Sequence, residues 1–202
     1  MKDNTQIVLF FSNNSTFNPT KIADKIIEEI PSLKQPMILP PNKEDIGAPV
    51  IIFNQNKEIN ITVSIVNIAL IFYTDKLKDC KKIILKLLDI FDRDGVSFNR
   101  IGYISSNVLP KKEVKKLKNR IFKDEELINA EDFQVAWYKK VLLDGTKVNC
   151  WERYFTDVAS NDNLMAVYDI NTPVQEEYNI NDEFVSLYIK NCQSFIDDKI
   201  DN

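Results

Sequence analysis

Apolar residues recur along the chain with two periods, one typical of helices and one typical of strands. A spacing of three and four residues predicts amphipathic helices at residues 19–30, 80–91, 110–122 and 181–200. Short apolar or alternating segments predict strands at residues 7–11, 50–53, 59–66, 69–73, 99–105, 134–143, 146–155 and 164–170. Because residues 36–49 hold four prolines, we expect them to form an irregular connection.

These elements follow one another as strand, helix, three strands, helix, strand, helix, three strands, helix. This order predicts an α+β fold, in which antiparallel β-meanders carry amphipathic helices packed on one face. Both parts of the chain run from a meander to a helix, so we expect two similar halves. The predicted division is an N-terminal α+β half at 1–124 and a C-terminal β-hairpin plus helix half at 125–202, together one compact unit.

The hairpin of the second half has a specific turn. Asp144-Gly145 between two apolar segments is typical of a two-residue β-turn, because both positions of that turn need a left-handed backbone. A turn at this place sets the register of the two strands. We expect Trp137 to face Glu152, and Tyr138 to face Trp151.

Composition limits the classes of function. The 202 residues carry a formal net charge of −4, which gives no overall attraction to nucleic acid or to an anionic membrane. Apolar residues make up 44% of the chain, as in an ordinary globular protein. No apolar run is long enough to span a bilayer and no signal peptide is recognisable, so we expect a cytoplasmic protein without a membrane partner.

Two absences exclude several chemistries. The chain has no histidine, which removes Ser-His-Asp and Cys-His triads and histidine metal sites. Its four glycines never take a Walker or Rossmann spacing. The three cysteines, Cys80, Cys150 and Cys192, form no C-x-x-C pair and are expected as free, buried thiols. We therefore expect no cofactor and no metal, and we assign no catalytic residue.

Two groups of carboxylates are candidates for a cation site. The segment 89–96, DIFDRDGV, crowds three aspartates before Gly95, but no register of it matches a calcium loop. A helix that ends on the glycine is therefore favoured. The second group contains carboxylates of the C-terminal half, Asp157, Asp162, Asp169, Glu176 and Glu177. The Glu-x-Lys of a restriction-type nuclease is missing there, and Asp169 at a strand end is the most site-like residue.

The predicted helix at 110–122 concentrates positive charge. The basic residues on it and directly after it are Lys111, Lys112, Lys115, Lys116, Lys118, Arg120 and Lys123. Such a helix could follow phosphates and release their counterions, as in a nucleic-acid-binding or metal-dependent nucleic-acid-processing protein that also uses Asp169. No aromatic residue interleaves with these cations before Phe122, and such charge runs are typical of solvated helix faces.

Aromatic residues cluster on the predicted hairpin. The candidate binding residues are Trp137, Tyr138, Trp151, Arg153 and Tyr154. Cross-strand aromatic pairs stabilise sheets, whereas Trp, Tyr and Arg are enriched at protein interfaces, so a core role and an interface role both stay open. We predict a non-enzymatic protein that recognises another protein, or a second copy of itself, through the aromatic β-face of its second half. Nucleic-acid binding through the basic helix is the alternative, and a small-molecule sensor is a third reading.

Three short segments carry a resemblance to a known group of proteins. They are RIGYISSN at residues 100–107, MAVYDINT at residues 165–172 and SFIDDKI at residues 194–200. In these segments the chain resembles a sporadically distributed family of uncharacterised prokaryotic α+β proteins. The resemblance implies a meander and a helix, followed by a strand and a second half. It implies no catalytic residues.

Overall fold

The computed structural model describes residues 3–12, 18–38, 49–54, 56, 58–109, 111–122, 133–156 and 164–201. Its strands are β1 (Asn4–Phe11), β2 (Leu33–Ile38), β3 (Val50–Asn54), β4 (Ile59–Val63), β5 (Asn67–Tyr73), β6 (Phe98–Leu109), β7 (Gln134–Leu143), β8 (Thr146–Thr156) and β9 (Leu164–Asn171). The helices of the described part are α1 (Pro19–Glu29), α2 (Leu77–Arg93), α3 (Lys111–Ile121) and α4 (Asp182–Asp201).

The strands of the described part form a single sheet in the order β2-β3-β4-β5-β1-β6-β9-β8-β7, and every neighbouring pair is antiparallel. A similar order of elements occurs twice, with a meander of four strands in the first half and of three strands in the second. A first strand is followed by a helix and by a meander whose last strand returns to pair with the first, and a second helix closes the half. In this way β5 returns to β1 and β9 returns to β6, while β1 and β6 pair at the centre.

The expected α+β fold is therefore confirmed. The repeat of the topology begins at β6, after α2. The predicted boundary between residues 124 and 125 lies outside the described residues.

Helices cover one face of the sheet, called the inner face below. Side chains alternate between the faces of a strand, so every second residue points toward the helices. Ile7 of β1 is fully buried there, and it shares one core cluster with Ile26 of α1, Ile84 of α2, Leu117 of α3 and Val185 of α4. The opposite face, called the outer face, carries the remaining strand side chains. Burial of apolar area on the inner face is the main source of stability.

Caps and turns follow local chemistry. The Asn18 side chain accepts a hydrogen bond from the backbone N–H of Thr20 at 2.9 Å and begins α1. The Asn181 side chain accepts one from the backbone N–H of Phe184, also at 2.9 Å, and begins α4. Gly95 has φ +68° just after α2, which confirms the predicted left-handed helix end.

One strand departs from the expectation. Residues 36–49 were expected to be irregular, yet Leu33–Ile38 forms β2, which includes Pro36. The strand lies at the edge of the sheet, where a missing backbone N–H breaks no ladder if it points away from the neighbouring strand. The register against β3 also shifts between Lys34 and Met37, on either side of the proline. Residues 39–48 lie outside the described part.

The three cysteines are free and buried, as expected.

Within the part of the chain that the structure describes, no helix has the length and apolar character needed to cross a membrane.

Candidate functional site

The five residues predicted as a binding surface divide between the two faces of the sheet. The register places Trp137 opposite Glu152 and Tyr138 opposite Trp151, as the turn at Asp144-Gly145 predicts. Neighbouring positions on a strand point to opposite faces. Tyr138 and Trp151 therefore lie on the outer face together with Arg153, whereas Trp137 and Tyr154 point to the inner face.

Trp137 and Tyr154 contribute to the core. Their rings pack at a centroid distance of 5.3 Å across β7 and β8. The Tyr154 hydroxyl lies 2.9 Å from the Tyr168 hydroxyl, and both side chains are buried under the helices. Burial raises the pKa of Tyr154 and that of Tyr168, so both phenols stay neutral over the physiological range. This pair satisfies its own polar groups and stabilises the second half.

An ion pair lies beside these aromatics on the inner face, and sequence reasoning did not find it. Glu152 is only 2% exposed and pairs with the ammonium group of Lys139. The Lys139 Nζ also lies 5.2 Å from the centroid of the Phe195 ring of α4. Burial lowers the pKa of Lys139, but the carboxylate of Glu152 outweighs this effect and the pKa is raised overall. The only signal in the sequence was that both charges occupy inward positions of the hairpin.

On the outer face, Tyr138 and Trp151 form an exposed aromatic pair. The ring centroids are 5.1 Å apart and the planes are inclined by 50°. Each residue is 43% exposed. A pair of large aromatic rings that is half in solvent loses much of the free energy that burial would provide.

A chain of polar contacts fixes the surroundings of this pair. The Tyr138 hydroxyl donates to Asn149 Oδ1 at 2.7 Å, and Asn149 Nδ2 donates to Asn171 Oδ1 at 3.4 Å. Asn171 Nδ2 donates to Asp169 Oδ1 at 3.2 Å. The other carboxylate oxygen of Asp169 lies 3.7 Å from the guanidinium of Arg153. We call these residues, with Trp151, the outer aromatic surface.

Trp151 lies between residues of this chain of polar contacts. Its register partners are Tyr138 on β7 and Asp169 on β9, and Arg153 follows two residues later on the same face of β8. Hydrogen bonds already hold the neighbouring side chains in place. A ligand that docks on the Trp151 ring therefore costs these side chains little conformational entropy.

The basic helix lies on the other side of the sheet. Leu117 of α3 is buried in the core cluster of the inner face, and Lys118 is also buried, with its Nζ 5.0 Å from the Phe133 ring centroid. Lys115, Lys116 and Arg120 are exposed. The side chains of Lys111 and Lys112 lie outside the described part, as does the whole of Lys123. The basic helix and the outer aromatic surface, which includes Asp169, therefore face in opposite directions.

The acidic segment at 89–96 ends a helix. Asp94 forms an ion pair with Lys25 of α1, and Asp89 pairs with Arg93 at 3.4 Å. No group of three or more Cys, Asp or Glu within the described residues is arranged to hold a metal ion. Asp157 and Asp162 lie outside those residues.

Comparison with models of known protein families and with curated protein sequences finds no match for this chain. The family resemblance inferred from residues 100–107, 165–172 and 194–200 therefore stays a prediction.

Proposed function

We propose that the protein binds another protein through its outer aromatic surface, with Trp151 and Tyr138 as the anchoring side chains. The observation that carries this proposal is the exposure of two packed aromatic rings within a chain of hydrogen bonds. Binding energy at protein interfaces concentrates in a few Trp, Tyr and Arg side chains that a surrounding of polar groups shields from water. Arg153 lies in that surrounding and forms its ion pair with Asp169.

The partner contributes an extended segment that adds to the edge of β7. Among the described strands, β7 is hydrogen-bonded only to β8, so its other side has no strand partner within the described residues along its ten positions. A segment added there lies directly beside Tyr138 and the exposed Lys140. An acidic residue in the segment would complement Lys140.

A second copy of the chain fits this edge less well. Two antiparallel β7 strands that overlap fully would bring Lys139 and Lys140 of both copies close together, which like charges oppose. Nucleic acid also fits less well, because the exposed aromatics and the basic helix lie on opposite faces of the sheet. A single strand could not stack on Trp151 and follow α3 over the same few nucleotides.

The proposal predicts that substitution of the two aromatic residues weakens binding of the partner. Purified protein is used to capture partners from a lysate of its native source, with the double variant Tyr138→Ala/Trp151→Ala beside it. Tyr73→Ala serves as the matched control, because Tyr73 is an exposed aromatic on β5 in the other half. We expect a protein that the wild type and the control capture equally, and that the double variant captures at least about tenfold less.

The captured partner is then titrated against each purified variant, whose thermal unfolding temperature is measured first. Equal affinity of the wild type and the double variant would overturn the proposal. Capture that nuclease treatment abolishes would favour the basic helix instead. Sedimentation experiments test for a dimer of the chain itself. If the wild type is a dimer and the double variant is a monomer, the partner is a second copy of the chain and not a foreign protein.

A further inference from the structure

A cavity of about 320 Å³ opens at one end of the outer face, away from the aromatic pair. It lies among the end of β1, the start of β6, the turn between β4 and β5, and the segment that follows β9. The residues that form its lining are Phe10, Phe11, Ser12, Ile65, Val66, Asn99, Arg100 and Val174. Its volume is at the low end of the range for small-molecule sites.

Among the described residues of the lining, Arg100 is the one cation. Its Nε donates to the backbone carbonyl of Thr172 at 3.2 Å, and its guanidinium carbon lies 4.6 Å from the centroid of the Phe10 ring. These two contacts hold the planar group in one orientation. No carboxylate of the described residues forms an ion pair with it, whereas Arg93 and Arg153 each pair with a carboxylate.

Burial weakens the hydration of this guanidinium. The pKa of Arg100 is lowered from its usual value, first because of burial and only partly offset by the neighbouring Tyr188. The group nevertheless stays protonated at any physiological pH. A partly buried cation that has no carboxylate partner among the described residues attracts an anion that can reach it.

Three apolar residues of the lining are exposed, and we call them the mouth of the cavity. Ile65, Val66 and Val174 are 53%, 58% and 67% exposed, which makes them three of the most exposed large apolar residues described. They come from two separate segments and meet at one opening. An apolar group that covers them would gain free energy in proportion to the area it removes from water.

We propose that this cavity binds a small organic carboxylate with an apolar body. The carboxylate accepts two parallel hydrogen bonds from the Nη groups of Arg100, which is the geometry that a guanidinium favours. The apolar body of the ligand covers Ile65, Val66 and Val174. A monoanion is favoured over a phosphate dianion because the described lining contributes a single cation.

Ligand-observed fluorine NMR tests this proposal with 4-fluorophenylacetate as the probe and 4-fluorophenylacetamide as its neutral match. We expect the acid to bind with a Kd below about 10 mM and the amide at least about tenfold more weakly. The variant Arg100→Gln should lose the binding of the acid, whereas Arg100→Lys should keep part of it. Arg153→Gln is the matched control on the outer aromatic surface and should bind as the wild type does.

A second variant separates binding from folding. Val174→Glu places a negative charge at an exposed position of the mouth. It should therefore weaken the binding of 4-fluorophenylacetate without disturbing the core. Equal binding of acid and amide, undiminished binding by Arg100→Gln, or no binding of the acid by the wild type would each overturn the proposal. None of these results depends on the protein partner, because Tyr138 and Trp151 lie on other strands.

Discussion

At the scale of single residues, the ion pair of Glu152 and Lys139 is the least expected feature of the core. Its two members differ in burial, because the Glu152 side chain is 2% exposed and that of Lys139 is 33% exposed. Loss of Glu152 leaves an ammonium group that can still reach water. Loss of Lys139 leaves a carboxylate in the core without its counter-ion, and an unpaired buried charge costs more free energy.

We therefore expect unequal effects from removing either partner. Lys139→Met should lower the free energy of unfolding by about 3 kcal/mol, and Glu152→Gln by about 1 kcal/mol. The double variant Lys139→Met/Glu152→Leu should regain most of the loss, since it removes both charges and keeps apolar volume. Urea unfolding of the four proteins measures these values, and equal costs for the two single variants would contradict this account.

At the scale of elements, the hairpin of β7 and β8 is the one whose register the sequence predicted. The prediction was correct because the turn has only one favourable geometry: Asp144 has φ +46° and Gly145 has φ +83°. Only residues that tolerate a left-handed backbone can occupy both places. The register then decided which aromatic side chains reach the outer face.

This argument predicts contrasting results at two glycines. Gly145→Ala should lower the free energy of unfolding by about 1 kcal/mol, because the backbone is left-handed there although no atom lies within 4 Å of the added methyl group. Gly102→Ala is the matched change within β6, where the nearest heavy atom would be Asn171 Cβ at 3.7 Å, an ordinary contact. It should be neutral or slightly stabilising. Thermal or urea unfolding compares the two, and a larger loss at Gly102 would refute the argument.

Other elements show where local pattern was insufficient. β2 was missed because its proline argues against a strand, and only a position at the edge of the sheet makes the proline acceptable. β6 spans 12 residues, Phe98–Leu109, whereas the pattern predicted 99–105. At its polar end, Ser106 is paired by both β1 and β9 and Asn107 by β9, and such pairing is not visible in the segment itself.

At the scale of the whole molecule, the buried thiols couple stability to pH. Burial raises the pKa of Cys80 and of Cys150 from 9.0 to about 12, and it raises the pKa of Cys192 as well. Above pH 9 the thiols of the unfolded chain lose their protons while those of the folded chain keep them. Each thiol therefore stabilises the unfolded state progressively as the pH rises from 9 toward the folded pKa.

We expect the free energy of unfolding to fall as the pH is raised through this window, by about 1.4 kcal/mol per pH unit for each thiol once the unfolded chain is fully ionised. Denaturant unfolding with a reductant present, at several pH values, measures the slope. The variant Cys80→Ala/Cys150→Ala should show a clearly shallower slope, whatever its stability at neutral pH. An unchanged slope in this variant would mean that these thiols ionise equally in both states.

The sequence by itself determined the fold class, the four described helices, the helix end at Gly95 and the hairpin register, because periodicity and turn residues act over only a few positions. It also placed the candidate aromatics on one hairpin and the basic residues on one helix. Only the tertiary structure decided that Trp151 and Tyr138 are exposed, that the basic helix lies on the opposite face, and that Arg100 lines a cavity with no carboxylate partner among the residues the structure describes. These facts depend on which face of the sheet the helices cover and on contacts between distant segments, neither of which a local pattern contains.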